Sequence, residues 1–90
     1  MATEVQARAY ALADFEEPHS HAIELLCQRH AGLPAEGTAI DLGCGPADVS
    51  IRFARAFPSW HIHGLDGSAA MLSYGREAVA AAGLADRVLL

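Results

Sequence analysis

The sequence predicts an α/β fold: the N-terminal part of a doubly wound parallel sheet, preceded by two helices. Three observations point there. From Thr38 onward the chain reads strand, helix, strand, helix, strand, the order of a parallel sheet with right-handed crossovers. The first strand runs into a glycine turn, Asp41-Leu42-Gly43-Cys44-Gly45-Pro46. The second strand runs into another acid, Asp66, followed by Gly67. The expected organisation is a helical segment over residues 1–37 and the first βαβαβ part of a ligand-binding domain over residues 38–90, with the sheet expected to continue past Leu90.

Each element has a local reason. Thr3 to Phe15 is rich in Ala, and Glu4, Gln6 and Arg8 are further strong helix formers. Pro18 is expected to interrupt that pattern. A second helix is predicted from His19 to Ala31, where Ala22, Ile23, Leu26 and Cys27 share a face, with Gly32 as its C-terminal cap. Thr38 to Leu42 is a short, mostly apolar strand of the kind that parallel sheets bury on both faces. After the turn at Gly43 to Ala47, a helix is predicted from about Asp48 to Phe57, with Val49, Phe53 and Phe57 on one face and Pro58 stopping it. Trp60 to Leu65 is the second strand. Ser68 is a plausible N-cap for a further helix to about Ala82, which Gly83 closes. Val88-Leu89-Leu90 opens a third strand.

Composition narrows the function. The 90 residues are 52% hydrophobic, which argues against disorder. No apolar run approaches the roughly 18 residues of a membrane helix, and Met1 to Val5 lacks the basic and apolar segments of a signal peptide. A soluble, cytoplasmic protein is expected. Eleven acids face six arginines, giving a net charge of -5, so no nucleic-acid platform is evident. With no lysine, the chain cannot form a Walker-type phosphate loop. Cys27 and Cys44 make neither a disulfide framework nor a zinc site, and Cys44 is expected to be a small buried thiol.

In such a sheet, ligands bind beyond the carboxyl ends of the strands. Gly43 and Gly45 let the backbone turn tightly and approach a ligand with no Cβ in the way, and the following helix is expected to aim free N–H groups at the same spot. Asp66 can accept hydrogen bonds from both hydroxyls of a ribose. It follows Gly45 by about the 20 residues known for ribose-binding acids. A dinucleotide would need Gly or Ala where Asp48 stands, and its pyrophosphate would be repelled there.

These residues resemble a known family. Asp41-x-Gly43-x-Gly45 is similar to motif I of the class I, Rossmann-like S-adenosylmethionine-dependent methyltransferases, and Gly64-Leu65-Asp66-Gly67-Ser68-Ala69-Ala70-Met71-Leu72 resembles the segment that follows it. Gly83 to Val88 is similar to the connector before the third strand. The resemblance implies S-adenosylmethionine as cofactor. Gly43 and Gly45 would pack against its methionine part, Asp41 would hold the amino group directly or through water, Asp66 would bind the ribose, and Met71 would cover the adenine, with Cys44 and Gly67 also in the cofactor-binding set. The family's third glycine is Ala47 here. The methyl acceptor is expected to be a small molecule, and no catalytic residue is legible.

Other residues have plainer readings. His61 and His63 share a strand face without a third metal ligand. His19 and His21 are expected in surface or capping roles; because the family's N-terminal helices often lie over the donor site, a base or substrate-orienting role stays open. Tyr10 and Phe15 are expected to pack a helix on the sheet, or to form part of a lid over the sulfonium. Trp60 is read as core or sheet edge. Arg52, Arg55, Arg76 and Arg87 are read as solvated. The first strand lacks a neighbour on one side, so self-association through the incomplete sheet is expected, and a non-catalytic assembly module is the alternative reading.

Overall fold

The computed structural model describes residues 3–90; Met1 and Ala2, at the start of the expected helical segment, lie outside the described residues. The elements are α1 (Glu4–Leu12), α2 (Glu16–Arg29), β1 (Glu36–Leu42), α3 (Asp48–Ala56), β2 (Ser59–Leu65), α4 (Ala69–Ala81) and β3 (Val88–Leu89). The strands are all parallel, in the order β1-β2-β3. The α/β expectation holds, including the two helices in front.

Register explains the core. Ala39 pairs with Ile62, and Ile62 pairs with Val88, so three apolar side chains cross the sheet on one face. Against them pack Ala47, Ile51 and Ala54 from the α3 region, and Val79 and Leu84 from α4 and its exit. Ile62 is the largest fully buried side chain, and burying it contributes about 1.5–3 kcal/mol.

The opposite face of the sheet is open. Ile40 is 66% exposed, Leu42 77%, Leu65 54% and Leu89 51%. This corrects the expectation that the first strand is buried on both faces. Both α3 and α4 lie on the face of Ala39 and Ile62, so the other face has no covering layer among the described residues.

Three further expectations change. Pro18 does not separate the helices. It sits in the first turn of α2, where its missing N–H costs no ladder bond, since the first such bond runs from the His19 N–H to the Phe15 carbonyl. Gly32 is not a left-handed cap; α2 ends at Arg29, and His30 closes it by donating to the Leu26 carbonyl. The most buried stripe of α3 is Ser50, Ile51 and Ala54. Val49 and Phe53 form a second, half-buried stripe against Ile23 and Leu26 of α2, and Phe53 and Phe57 gather round Trp60.

Two arginines read as solvated are not. Arg87 donates to the carbonyls of Ala54 at 3.0 Å, Phe57 at 3.3 Å and Trp60 at 2.9 Å, which ties down the end of α3. Arg52 pairs with Asp48 at 2.7 Å and donates to Ser20 Oγ at 2.9 Å, tethering α2 to α3. Ser68 and Gly83 behave as expected: Ser68 accepts from the Met71 N–H, and Gly83 has φ +72° just past α4.

Candidate functional site

The turn between β1 and α3 is left-handed at three places: Gly43 (φ 71°), Gly45 (φ 54°) and Ala47 (φ 70°). At Ala47 that conformation carries a steric cost of about 1–2 kcal/mol, which a third glycine would avoid. The turn is stapled to the end of β2. The N–H groups of Gly43 and Cys44 both donate to the Leu65 carbonyl, at 2.7 and 3.0 Å. The Gly45 N–H donates to Asp66 Oδ2 at 2.9 Å. The amides of the turn itself are therefore already used, whereas the ladder of α3 begins at the Ile51 N–H, so the N–H groups of Asp48, Val49 and Ser50 stay outside it, as expected for the start of the helix.

Helix α4 lies directly on this turn. A Cβ on Gly75 would stand 3.2 Å from the Pro46 carbonyl carbon and 3.3 Å from the Gly45 oxygen. A Cβ on Gly64 would collide with Cys44 Sγ at 2.8 Å, so the thiol fills the space that the glycine leaves. Cys44 is buried, as expected. Burial, and then the negative charges of Asp41 and Asp66, push its thiol pKa up.

The two strand-end acids are held differently. Asp66 also accepts at Oδ1 from the Ser68 N–H, at 2.8 Å, and so links the glycine turn to the cap of α4. A carboxylate has about four lone-pair directions, which leaves two for a ligand. Asp41 is half-buried and accepts from Ser50 Oγ at 2.6 Å. Ser50 is 1% exposed, a positioning group with no local signature in the sequence.

Gly43 stands between two cavities. One, of about 100 Å³, is lined by Tyr10, His19, Asp41, Cys44, Pro46 and Asp48, among others. The other, of about 400 Å³ and more open, is lined by Gly64, Leu65, Asp66, Gly67, Leu72 and Arg76, among others. A Cβ on Gly43 or on Gly67 would meet nothing within 4 Å, so both keep room for a ligand. Met71 lies elsewhere, with its sulfur 3.9 Å from the position a Gly45 Cβ would take; Leu72 is the apolar wall beside Asp66.

The smaller cavity is acidic. Asp48 loses some solvation through burial, which raises its pKa, but hydrogen bonds and charge from Arg52 and His19 outweigh this and hold the carboxyl below its usual range. The Arg52 guanidinium is spent on Asp48 and Ser20. This cavity suits a cationic amino-acid end, and the larger one a ribose with a flat apolar base. The donor set thus fits a nucleoside that carries a charged amino-acid tail, which is the chemistry of the cofactor that the motif resemblance implies.

A family model described as a methyltransferase domain matches residues 39–90, from within β1 to Leu90. The chain belongs to this methyltransferase family. Among curated proteins, it is 44% identical over 50 residues to a trans-aconitate 2-methyltransferase of Paracidovorax citrulli, covering 56% of this chain and 19% of that protein. It is 43% identical over 63 residues to one of Methylobacterium radiotolerans, covering 69% of this chain and 24% of that protein. The chain thus spans about a fifth to a quarter of the length of these relatives. Among solved structures, it superposes with a TM-score of 0.86 on a Methanococcus maripaludis protein described as an S-adenosyl-L-methionine-dependent methyltransferase, at 26% identity over 99% of this chain and 43% of that one. Coclaurine N-methyltransferase bound to N-methylheliamine and SAH shares the fold, with a TM-score of 0.69 and 21% identity over 86% of this chain and 22% of that one. The fold is the Rossmann-like fold of class I methyltransferases.

Proposed function

We propose that this chain forms the donor-binding part of a methyltransferase that uses S-adenosylmethionine and acts on a small-molecule acceptor in the cytoplasm. The observation that carries this is the pair of carboxylates at successive strand ends, Asp41 and Asp66, with the glycine turn between them bonded to the second. Asp41, held by Ser50, receives the amino group in the acidic cavity. Gly43 borders both cavities and Cys44 the smaller one, while Gly45 holds the turn to Asp66. Asp66, with Gly67, takes the ribose hydroxyls, and Leu72 is the adenine's nearest apolar wall, with Met71 behind the turn.

The bound cofactor supplies a methyl group already activated on a sulfonium. The protein's part is therefore alignment and exclusion of water. The rigid turn, braced by α4 at Gly75, fixes where the donor lies. Tyr10 and Pro46 form part of the wall of the acidic cavity.

A small acceptor is supported by the names of the relatives, which refer to small molecules, and by the acidic composition, which disfavours nucleic acid. No helix among the described residues is long and apolar enough to cross a membrane. The experiment is calorimetric titration of the chain with S-adenosylmethionine. Binding that falls at least tenfold in Asp66→Ala is expected. Absence of binding, or binding undiminished by Asp66→Ala, overturns the reading.

A further inference from the structure

We propose that the cleft under the end of α1 is a second ligand site, which takes an organic ammonium ion. The cleft, of about 360 Å³, lies between the end of α1, the start of α3 and the middle of α4. It is distinct from the acidic cavity given above to the donor's amino-acid end, although Tyr10, Pro46 and Asp48 line both. Helix α1 packs on α4. The Tyr74 hydroxyl donates to Glu4 at 2.6 Å and ties the first turn of α1 down, and Ala7 is fully buried. Toward its other end α1 keeps Tyr10 41% and Leu12 74% exposed at the mouth of the cleft. A ligand there removes apolar surface from water.

The lining selects a cation. The chain has two tyrosines, and both line this cleft. Aromatic faces attract positive charge, most strongly alkylammonium groups that water solvates poorly. The Tyr10 ring is held in place by Phe15 at 4.7 Å, which itself stacks on His19 at 5.1 Å. Ile51 and Ala78 give apolar surface for the carbon part of the ligand. Two carboxylates complete the lining, Asp48 from α3 and Glu77 from α4. Asp48 shares its charge with Arg52 and His19. Glu77 has no ion pair among the described residues, so its charge is left for a ligand. Arg8 acts on the Tyr74 hydroxyl from α1, but no arginine lines the cleft. An anion is therefore repelled, and a neutral ligand of the same shape gains only the apolar contacts.

The test is an NMR titration of the chain with two probes of one shape, choline and its uncharged carbon analogue 3,3-dimethyl-1-butanol. Choline is expected to shift the signals of Tyr74, Glu77 and Ala78, which line this cleft and not the donor cavity. The neutral analogue should bind about fivefold more weakly, the share of the cation–aromatic attraction. Tyr10→Leu should weaken choline by about the same factor, whereas Tyr10→Phe, which keeps the ring, should not. Glu77→Gln should weaken it about threefold. Glu24→Gln, on α2 and outside the cleft, removes the same charge from an acidic chain and should change nothing. Glu77 and Glu24 are both exposed, so these two variants fold like the parent. Equal binding of the two probes, equal losses in Glu77→Gln and Glu24→Gln, or no binding of choline overturns the proposal. Shifts confined to Cys44 and Val49 also overturn it, because they place the cation in the donor cavity instead.

Discussion

The Asp66 carboxylate accepts the Gly45 amide at 2.9 Å, although the two residues lie 21 apart in sequence. The acid proposed for the ribose is thus also the bolt that holds the glycine turn against β2. Its second oxygen takes the Ser68 amide at the start of α4.

That sharing gives the first prediction. Asp66→Asn leaves one accepting oxygen and places an NH2 where an acceptor is needed. Stability should fall by about 1–2 kcal/mol through the lost charge-assisted bond. Urea unfolding should show a lower midpoint with an unchanged slope. A variant that loses the ligand and keeps its midpoint would show that the bolt contributes nothing.

Ala47→Gly should be nearly neutral, although Ala47 is fully buried with φ 70°. Glycine relieves a left-handed strain of about 1–2 kcal/mol and loses about 0.8 kcal/mol for one buried methyl plus about 0.5–1 kcal/mol of backbone entropy. Ala54 is equally buried but helical, so Ala54→Gly has no relief and should cost about 2 kcal/mol. Equal losses in the two variants, by chemical denaturation, would contradict the strain at Ala47.

Arg87→Met should destabilise by about 2 kcal/mol, because the Ala54 and Phe57 carbonyls at the end of α3 and the Trp60 carbonyl of β2 lose a charged donor. Arg55→Met, on an exposed stretch of the same helix, should stay within about 0.5 kcal/mol. Thermal melts of the pair decide it.

What the sequence made legible follows from the range of each signal. The strand–helix order, the Ser68 cap and the Gly83 stop are written within a few residues, and all three appear in the structure. Arg87 looked like any surface arginine because its partners lie 27 to 33 residues away. Arg52 and Ser20 are 32 apart, and nothing local announces their bond. Gly32 and Pro18 misled in the opposite direction: Pro18 costs no ladder bond in the first turn of α2, and α2 ends at Arg29 before Gly32 is reached. Within the site, glycines and acids were visible from spacing, whereas Ser50 and Leu72 gained their places only when α3 and α4 folded over the turn.

Cys44 and Cys27 should react very differently. Cys27 is exposed; Cys44 is buried, with its thiol pKa raised by burial and by two carboxylates, so little thiolate forms near neutral pH. Iodoacetamide at pH 8 should label Cys27 at least tenfold faster, as read by mass spectrometry of the peptides. Comparable rates would mean that the turn opens readily.

The open sheet face should drive the purified chain to pair with a second copy. Ile40 and Leu42 on β1, Leu65 on β2 and Leu89 on β3 point away from the helices and are each more than half exposed. β1 is also a free edge, with unpaired backbone groups along its outer side. Both features lower their free energy by association, and in a pure solution the only available partner is another molecule of the chain. The four apolar side chains sit on adjacent strands of one sheet around His63, which pairs with both Ile40 and Leu89 on the same face. Ile40→Lys combined with Leu65→Lys places like charges on paired strands of that face and leaves Ile62 and the core untouched. Sedimentation velocity should show dimers or larger species for the parent chain and monomers for the double variant, with cooperative unfolding in both. A parent chain that runs as a sharp monomer at high concentration would show that the open face is tolerated in water, and the assembly reading would fall with it.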